Sequence, residues 1–487
     1  MRGLLIGIAI LLAVILLFAS GILIAGKINM SSYTYDAPEH IDLTANKFNT
    51  ITAHGKGLYD ENGDRFDIKG INFGNLFIAE GWMTVNSVGA AMNDDGTYVK
   101  VNGDGIVEEY EEIYQEEMDA IFAERFTDDQ IEALNDAFFA SYCTEADFKL
   151  LSDLGMNTVR IPMYYRNFLT TYDRYHVSDE ELCARDFKSI DLDFSKLDQF
   201  IEYADKYGIK VIVDMHGVMG GQSGFEHCGT RDIDFWDNEE YIEFMCNLWK
   251  AIANHYVTER SDLASAILAY DLVNEPTNRN EIGTGPKQWE VMDRLYRAIR
   301  EEDTCHVISI EGVWFPVSLP SPEKYGWENV LYQFHYYNWD WQGTSNELYY
   351  SFICGLSSLV DYDVPKLVGE FNFFGDGKVW DEYLKLYDQM GWGWTIWSYK
   401  IISVGYWDNS WGIVVNKLNL QNKNIYDIPE EDRNLKLNLE TASYEEILNT
   451  WSNQKTEYDG QSGVYKIYSD SVTYNALVRY FEDLNNK

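Results

Sequence analysis

The chain has 487 residues, which is enough for one large domain or for two to three ordinary ones. Its formal net charge is −41, and a surface of that sign repels phosphate backbones, so we expect no nucleic-acid partner. The six cysteines include no pair with CxxC spacing, which argues against a zinc or redox site.

An apolar run from Gly3 to Gly26 follows Met1-Arg2 and ends before Lys27. It is longer than the about 7–15 residues of a secretory signal core and matches the about 20 that a membrane span needs. We therefore expect a signal anchor, with the rest of the chain exported and held outside the cell membrane. The alternative is a cleaved signal peptide and a secreted protein. Residues 1–26 are thus assigned to this segment.

Residues 27–49 are polar and lack periodicity, so the sequence predicts a linker there and one domain over residues 50–487. That domain is predicted to begin with a β-hairpin that pairs Thr50–His54 with Phe66–Lys69 and turns at residues 60–64. Near the end of the chain, Val472–Leu484 is predicted to form a helix that closes the domain.

Between these ends, strand-like apolar runs alternate with longer segments that carry apolar residues at helical spacing. Eight strands are predicted, at Ile68–Phe73, Thr158–Pro162, Lys210–Asp214, Ile267–Asn274, Val307–Glu311, Val330–His335, Lys366–Glu370 and Gly393–Trp397. Eight strand–helix units predict a closed (β/α)8 barrel, the TIM barrel. An open doubly wound sheet is the alternative, but no glycine-rich phosphate loop follows the first strand.

Two long insertions interrupt the alternation, at Gly81–Tyr142 and at Met163–Ser195. Each follows a predicted strand, so each is expected to overhang the face of the barrel that carries the active residues. Cys183 and Cys228 lie in loops after neighbouring strands, and we expect a disulfide between them in an exported protein.

Two of the predicted strands deliver a glutamate where they end. Glu275 stands in Asn274-Glu275-Pro276, and proline stops the strand because it cannot donate to a ladder. Glu370 stands in Gly369-Glu370-Phe371, at the end of another strand. Paired carboxylates at strand ends are the groups that glycoside hydrolysis requires.

Further motifs fall at strand ends in the same order as in a known family. They are Lys69-Gly70-Ile71-Asn72-Phe73-Gly74-Asn75 through Glu80-Gly81-Trp82, Asn157-Thr158-Val159-Arg160-Ile161-Pro162, the block from Asp214 to Phe225, Asn274-Glu275-Pro276, His335-Tyr336-Tyr337 and Gly369-Glu370-Phe371. With these motifs the chain resembles glycoside hydrolase family 5, the cellulase-like retaining barrel enzymes, over about residues 55 to 415. The branch that it resembles most is that of the exo-β-1,3-glucanases. The Gly81–Tyr142 insertion and the Trp339–Trp341 loop depart from that branch.

The resemblance implies a retaining β-glycoside hydrolase that acts on a β-linked glucan and releases single glucose units. Glu370 is expected to be the nucleophile and Glu275 the acid/base residue. Arg160 is expected to keep the pKa of Glu370 low, and the charge of Glu370 to raise the pKa of Glu275. The expected substrate-binding residues are Glu80, Arg160, His216, Asn274, His335, Tyr337 and Trp397.

Other functions on the same scaffold stay open at this stage. They are an endo-β-glucanase or mannanase, a glucosyl-lipid hydrolase, a transglycosylase and a sugar-binding protein without activity. The proposed chemistry needs no cofactor and no metal. The expected partners are therefore an oligo- or polysaccharide and, through the N-terminal segment, a membrane.

Overall fold

A computed structural model describes residues 41, 43, 48–81, 83–87, 113–277, 284–314, 316–339, 345–401, 411–416, 437–458, 462–467 and 471–486. The predicted membrane segment, Gly3–Gly26, and most of the predicted linker lie outside these ranges. None of the helices within them combines the length and apolarity that crossing a membrane requires.

The predicted hairpin is present, but its second strand is wrong. Strand β1 (Thr52–His54) pairs in antiparallel register with β2 (Gly57–Tyr59), through a two-residue turn at Gly55-Lys56. Gly55 has φ +58°, a left-handed value that glycine adopts without steric cost. The predicted turn at residues 60–64 is a second turn, followed by a single bridge between Tyr59 and Arg65.

The (β/α)8 barrel is confirmed, with each predicted strand in its predicted place. Eight parallel strands close in chain order: β3 (Lys69–Asn72), β5 (Thr158–Tyr164), β6 (Lys210–Gly217), β7 (Ile267–Asp271), β8 (Val307–Glu311), β9 (Val330–Tyr337), β10 (Lys366–Asn372) and β11 (Gly393–Ile396). Most of their residues are buried on both faces, as expected for a barrel wrapped by helices. Among the described residues, the largest of three buried hydrophobic clusters draws on side chains from Ile71 to Phe481.

Helices surround the barrel and form part of both insertions. They span Gln115–Arg125, Asp128–Tyr142, Glu145–Leu154, Thr171–His176, Asp179–Cys183, Ser195–Lys206, Glu239–Asn254, Pro286–Glu302, Pro322–Tyr325, Asn346–Ser358, Gly377–Met390, Tyr444–Trp451 and Val472–Asn485. The last of these packs Tyr480 and Phe481 against Trp394 of β11, which confirms that the end of the chain covers the barrel.

Short strands outside the barrel pair segments from the two ends of the domain with each other. Strand β4 (Asn86–Ser87) pairs with β14 (Leu437–Asn438). A four-stranded sheet combines β12 (Lys400–Ile401), β13 (Val414–Asn416), β16 (Tyr465–Ile467) and β15 (Thr456–Glu457).

The described part of the first insertion packs against the loop that follows β6. The Tyr114 hydroxyl donates a hydrogen bond to the Gly224 carbonyl, and the backbone N–H of Glu116 donates one to the Gly229 carbonyl. This insertion therefore borders the face of the barrel at which the strands end. The predicted disulfide is wrong, because Cys183 and Cys228 are both free thiols. Cys183 Sγ lies beside the sulfur of Met219, and the Cys228 thiol donates a hydrogen bond to the Thr230 carbonyl.

Candidate active site

A cavity of about 440 Å³ opens at the carboxyl ends of the barrel strands, where active sites of this fold lie. Its described lining comprises Glu80, His216, Phe225, Glu226, His227, Asn274, Glu275, Trp314, Tyr337, Trp339, Glu370, Trp397 and Trp411. Arg160 and His335, the other two predicted site residues, are buried directly behind this lining. A larger groove of about 1100 Å³ on the outside of the barrel contains none of the predicted residues.

Glu275 projects from the chain just beyond the end of β7. The strand ends at Asp271, earlier than predicted, and Glu275 has φ +40°. A non-glycine residue in this left-handed conformation is strained, and such strain is common at functional sites. The backbone N–H of Glu275 donates to Glu311 Oε2 over 2.8 Å. The local fold thus turns the Glu275 side chain out of the ladder and into the cavity.

Glu370 stands near the end of β10, where the pairing register with β9 shifts between Val368 and Glu370. Gly369 precedes it, and a Cβ there would lie 2.4 Å from Gln333 Cδ. A side chain at position 369 would displace Gln333, whose Nε2 donates to Asp271 Oδ2 over 2.8 Å. The side chain of Glu370 accepts bonds from Arg160 Nη1 (2.8 Å) and the Tyr337 hydroxyl (2.9 Å).

Arg160 is the positive centre of the site and is fully buried. Its guanidinium pairs with Asp214, Asp271 and Glu370 at 3.0, 2.9 and 2.8 Å. It also donates to Asn274 Oδ1 over 2.8 Å. The planar fork of arginine suits such multiple pairing. One side chain therefore links Glu370 to acids on β6 and β7 and to Asn274, the residue before Glu275.

His335 lies between the two glutamates. Its Nδ1 is 2.9 Å from Glu275 Oε1 and 3.5 Å from Glu370 Oε2. Burial, with the positive charge of Arg160 nearby, lowers the pKa of His335 well below its usual value, so the ring is neutral. The predicted pair of carboxylates is therefore brought together around one imidazole nitrogen.

Burial shifts the pKa of both glutamates upward. The pKa of Glu275 is raised well above its usual value by burial first and then by the charges of Glu370 and Glu80. Burial raises the pKa of Glu370 to about 7, against the lowering effects of Arg160 and Tyr337. The expectation that Arg160 keeps the pKa of Glu370 low is wrong in its net direction, because burial outweighs the ion pair. Of the two groups Glu370 ionises first, since the cation and the hydroxyl donor contact it.

The remaining predicted residues also line the cavity. The ring of Trp397 stacks on His216 with centroids 5.4 Å apart. His216 Nδ1 is 2.6 Å from Asp214 Oδ2, and its Nε2 is 3.4 Å from Asn274 Nδ2. Glu80 is buried and lines the same cavity. The structure thus assembles every predicted site residue in or behind one cavity.

Several residues of the site were not predicted from the sequence. His227 Nε2 lies 3.4 Å from Glu275 Oε2 on the cavity side. Glu311 contacts the backbone of Glu275 from behind, although it ends a predicted strand exactly as Glu370 was expected to do. Trp314 and Trp339 add exposed aromatic rings to the rim, and Trp411 adds a buried ring to the lining. A glutamate at the end of a barrel strand was a usable signal for Glu311, whereas nothing in the sequence marked His227.

The carboxyl and imidazole groups of Glu275, Glu311 and His335 bring one potential ligand atom each within 4.8 Å of one another. His335 Nδ1 contacts both carboxyl groups, at 2.9 and 3.3 Å. Contacts among the three side chains bring these atoms together.

Comparisons with known proteins agree with this geometry. The profile described as "Cellulase (glycosyl hydrolase family 5)" matches residues 119–403, more than half of the chain. The chain therefore belongs to glycoside hydrolase family 5. A β-xylosidase of Phanerodontia chrysosporium is 30% identical over 211 residues, which cover 42% of this chain and 39% of that protein.

A second relative is glucan 1,3-beta-glucosidase 2 of Wickerhamomyces anomalus, which is 29% identical over 233 residues, or 47% of either chain. The matched part of this chain thus spans half or less of the length of these relatives. Among solved structures, the rutinosidase of Aspergillus niger superposes with a TM-score of 0.50 at 15% identity, over 71% of this chain and 92% of that one. This similarity shows a shared fold.

Proposed function

We propose that the protein is a retaining β-glycosidase that releases glucose from the non-reducing ends of a β-1,3-glucan. The observation that carries this proposal is the position of His335 Nδ1, 2.9 Å from Glu275 Oε1 and 3.5 Å from Glu370 Oε2. The two carboxylate oxygens are no further apart than the sum of these distances. That upper limit lies just below the inverting separation of about 6.5–9.5 Å and is compatible with the retaining separation of about 5–5.5 Å.

In the first step, a carboxylate oxygen of Glu370 attacks the anomeric carbon. The bond from that carbon to the leaving oxygen breaks, and Glu275 donates its proton to the leaving oxygen. In the second step, Glu275 takes a proton from water, and the water oxygen displaces Glu370. The raised pKa of Glu275 supports its role as the acid, since the group must hold a proton at the start.

The charge of the cavity supports a neutral sugar as substrate. The described residues that line it include the four glutamates Glu80, Glu226, Glu275 and Glu370, and no lysine or arginine. A sugar that carries a carboxylate, sulfate or phosphate would be repelled by this lining. Trp397 and the rim tryptophans offer flat apolar faces on which a neutral sugar ring can pack.

The size of the cavity and the position of Glu80 support action at a chain end. A volume of about 440 Å³ lies at the lower end of the about 300–1,000 Å³ typical of small-molecule sites. Glu80 lines this cavity with Glu275 and Glu370, where its carboxylate can accept two hydroxyl hydrogen bonds from a terminal sugar. The name of the glucan 1,3-beta-glucosidase relative supports the β-1,3 linkage.

The test is a panel of β-1,3-, β-1,4- and β-1,6-glucans, mannan and a glucosyl-lipid, with products separated by chromatography. The proposal predicts fastest turnover of the β-1,3-glucan and free glucose as the main product from the first minutes. Early mixed oligosaccharides with little glucose would reveal an endo-acting enzyme. Longer oligosaccharides that form only when an acceptor sugar is added would reveal a transglycosylase.

We also propose that residues 3–26 anchor the protein in the cell membrane, that residues 27–49 form a linker and that residues 50–487 form an exported catalytic domain. The length of the apolar run supports this arrangement. The full-length chain should remain in the membrane fraction after a carbonate wash. A soluble mature protein that begins after Gly21 would contradict the proposal.

A further inference from the structure

Glu311 ends β8 and lies fully buried behind Glu275, outside the lining of the cavity. Its Oε2 accepts the backbone N–H of Glu275 over 2.8 Å. The preceding N–H, that of Asn274, still bonds to the carbonyl of Met215 in β6. Glu311 supplies the acceptor that the buried N–H of Glu275 needs.

A second contact connects Glu311 to the side chain of Glu275. Glu311 Oε1 lies 3.3 Å from His335 Nδ1, and the same nitrogen lies 2.9 Å from Glu275 Oε1. Glu311 thus contacts the backbone N–H of Glu275 directly. It contacts the Glu275 carboxyl indirectly, through the imidazole of His335.

The groups that face Glu311 come from three neighbouring elements. Asp271 and Glu275 belong to β7 and its following loop, and Gln333 and His335 belong to β9. Gln333 Nε2 donates to Glu311 Oε2 over 3.5 Å. These neighbours are two acids, an amide and a neutral imidazole.

The cation of the site is already engaged elsewhere. Arg160 forms its ion pairs with Asp214, Asp271 and Glu370. An ionised Glu311 would place another negative charge beside Glu275 in a fully buried position, which costs free energy without a paired cation. Burial and the charges of Glu275 and Asp271 raise the pKa of Glu311 well above its usual value, and Arg160 only partly opposes this shift.

We propose that Glu311 is a positioning residue that works as an uncharged carboxylic acid and holds both the backbone and the carboxyl of Glu275 in place. This inference rests on the proposed role of Glu275 as the acid/base residue. Glu311 is thus a partner of Glu275 that lies outside the cavity, on strand β8. No residue of β8 was predicted to belong to the site.

Two substitutions at Glu311 separate the effect of its charge from the effect of its hydrogen-bond acceptor. Glu311→Gln keeps an acceptor oxygen and an uncharged group, so kcat/KM should stay within about 3-fold and the basic limb of its pH profile within about 0.3 unit. Glu311→Met removes the acceptor, and kcat/KM on a β-1,3-gluco-oligosaccharide should fall about 10²-fold. On 2,4-dinitrophenyl β-glucoside, whose leaving group needs little protonation, the same variant should lose less than about 5-fold. Ser309→Ala, a buried change on the same strand, is the control and should leave both activities unchanged.

A basic limb that moves to lower pH by about one unit or more in Glu311→Gln would overturn the proposal, because it would show that a negative charge had been removed beside Glu275. Equal losses on both substrates in Glu311→Met would also overturn it, since they would indicate a general structural role. If Glu311→Met does not fold, the pH profile of Glu311→Gln decides. Glu275→Gln is the reference: if it keeps full activity on the oligosaccharide, the proposed function itself fails.

Discussion

Arg160 Nη1 donates to Glu370 Oε1 over 2.8 Å, and both side chains are buried. A cation in contact with a carboxyl favours its ionised form. The same guanidinium also pairs with Asp214 and Asp271, so its charge is divided among three carboxyl groups. The pH at which Glu370 ionises therefore depends on this network and on the hydroxyl of Tyr337.

Replacement of Glu370 by glycine should lower the turnover of the glucan by on the order of 10⁴-fold, because no nucleophile remains. Azide should partly restore activity with an activated aryl glucoside, since a small anion fits the space that the side chain leaves. The azide attacks from the face that Glu370 occupied, so the product should be the α-glucosyl azide. Full activity in this variant would refute the assignment of the nucleophile.

Glu275→Gly is the matched control for that experiment. The nucleophile is intact in this variant, so an activated substrate should still form the glycosyl-enzyme and azide should attack it in the second step. Its product should therefore be the β-glucosyl azide. Azide products of the same anomeric form from both variants would show that the two glutamates do not have distinct roles.

The hydrogen bond from Tyr337 makes a pH dependence testable. The Tyr337 hydroxyl donates to Glu370 Oε2 over 2.9 Å and lowers the pKa of Glu370, whereas burial raises it. Activity is lost as the pH falls through the pKa of Glu370, because the protonated acid cannot attack. Burial should therefore place the acid limb of kcat/KM above the ordinary glutamate value of about 4.3.

Tyr337→Phe removes the donor and should move that acid limb to higher pH by about one unit. Tyr350→Phe is a suitable control, because the Tyr350 hydroxyl is also buried but donates to the backbone carbonyls of Tyr336 and Asn372. The acid limb of kcat/KM in Tyr350→Phe should stay at the pH of the parent protein. A shift to lower pH in Tyr337→Phe would mean that the hydroxyl does not stabilise the ionised nucleophile.

Glu80→Gln tests the contact with the terminal sugar. The substitution keeps the size of the side chain but removes the charge that strengthens its hydrogen bonds to hydroxyl groups. KM should rise and kcat should fall together, because the contact should tighten as the sugar ring distorts towards the transition state. The melting temperature should remain near that of the parent protein. Unchanged kinetics on β-1,3-gluco-oligosaccharides would remove Glu80 from the binding site.

The barrel was predictable from the sequence because its strands are short apolar runs separated by helical patterns. The two glutamates were predictable because each stands where such a run ends. The hairpin was predicted with the wrong partner, since Gly55-Lys56 and residues 60–64 both allow turns. Local sequence does not decide between two such turns when the chain can pair through either.

The electrostatics of the site were predicted less well than its composition. The sequence places Arg160 near Glu370, but it does not show that Asp214 and Asp271 compete for the same guanidinium. Nor does it show how deeply Glu370 is buried, and burial decides the direction of its pKa shift. These properties arise from side chains on different strands, so they emerge only when the barrel closes.

The most direct test of the double displacement is the anomeric form of the first product. Proton NMR should follow hydrolysis of a β-1,3-gluco-oligosaccharide from the first minutes, before mutarotation mixes the anomers. Two displacements at the same carbon, by Glu370 and then by water, predict that β-glucose appears first. An initial α anomer would mean a single displacement by water and would contradict the nucleophilic role of Glu370.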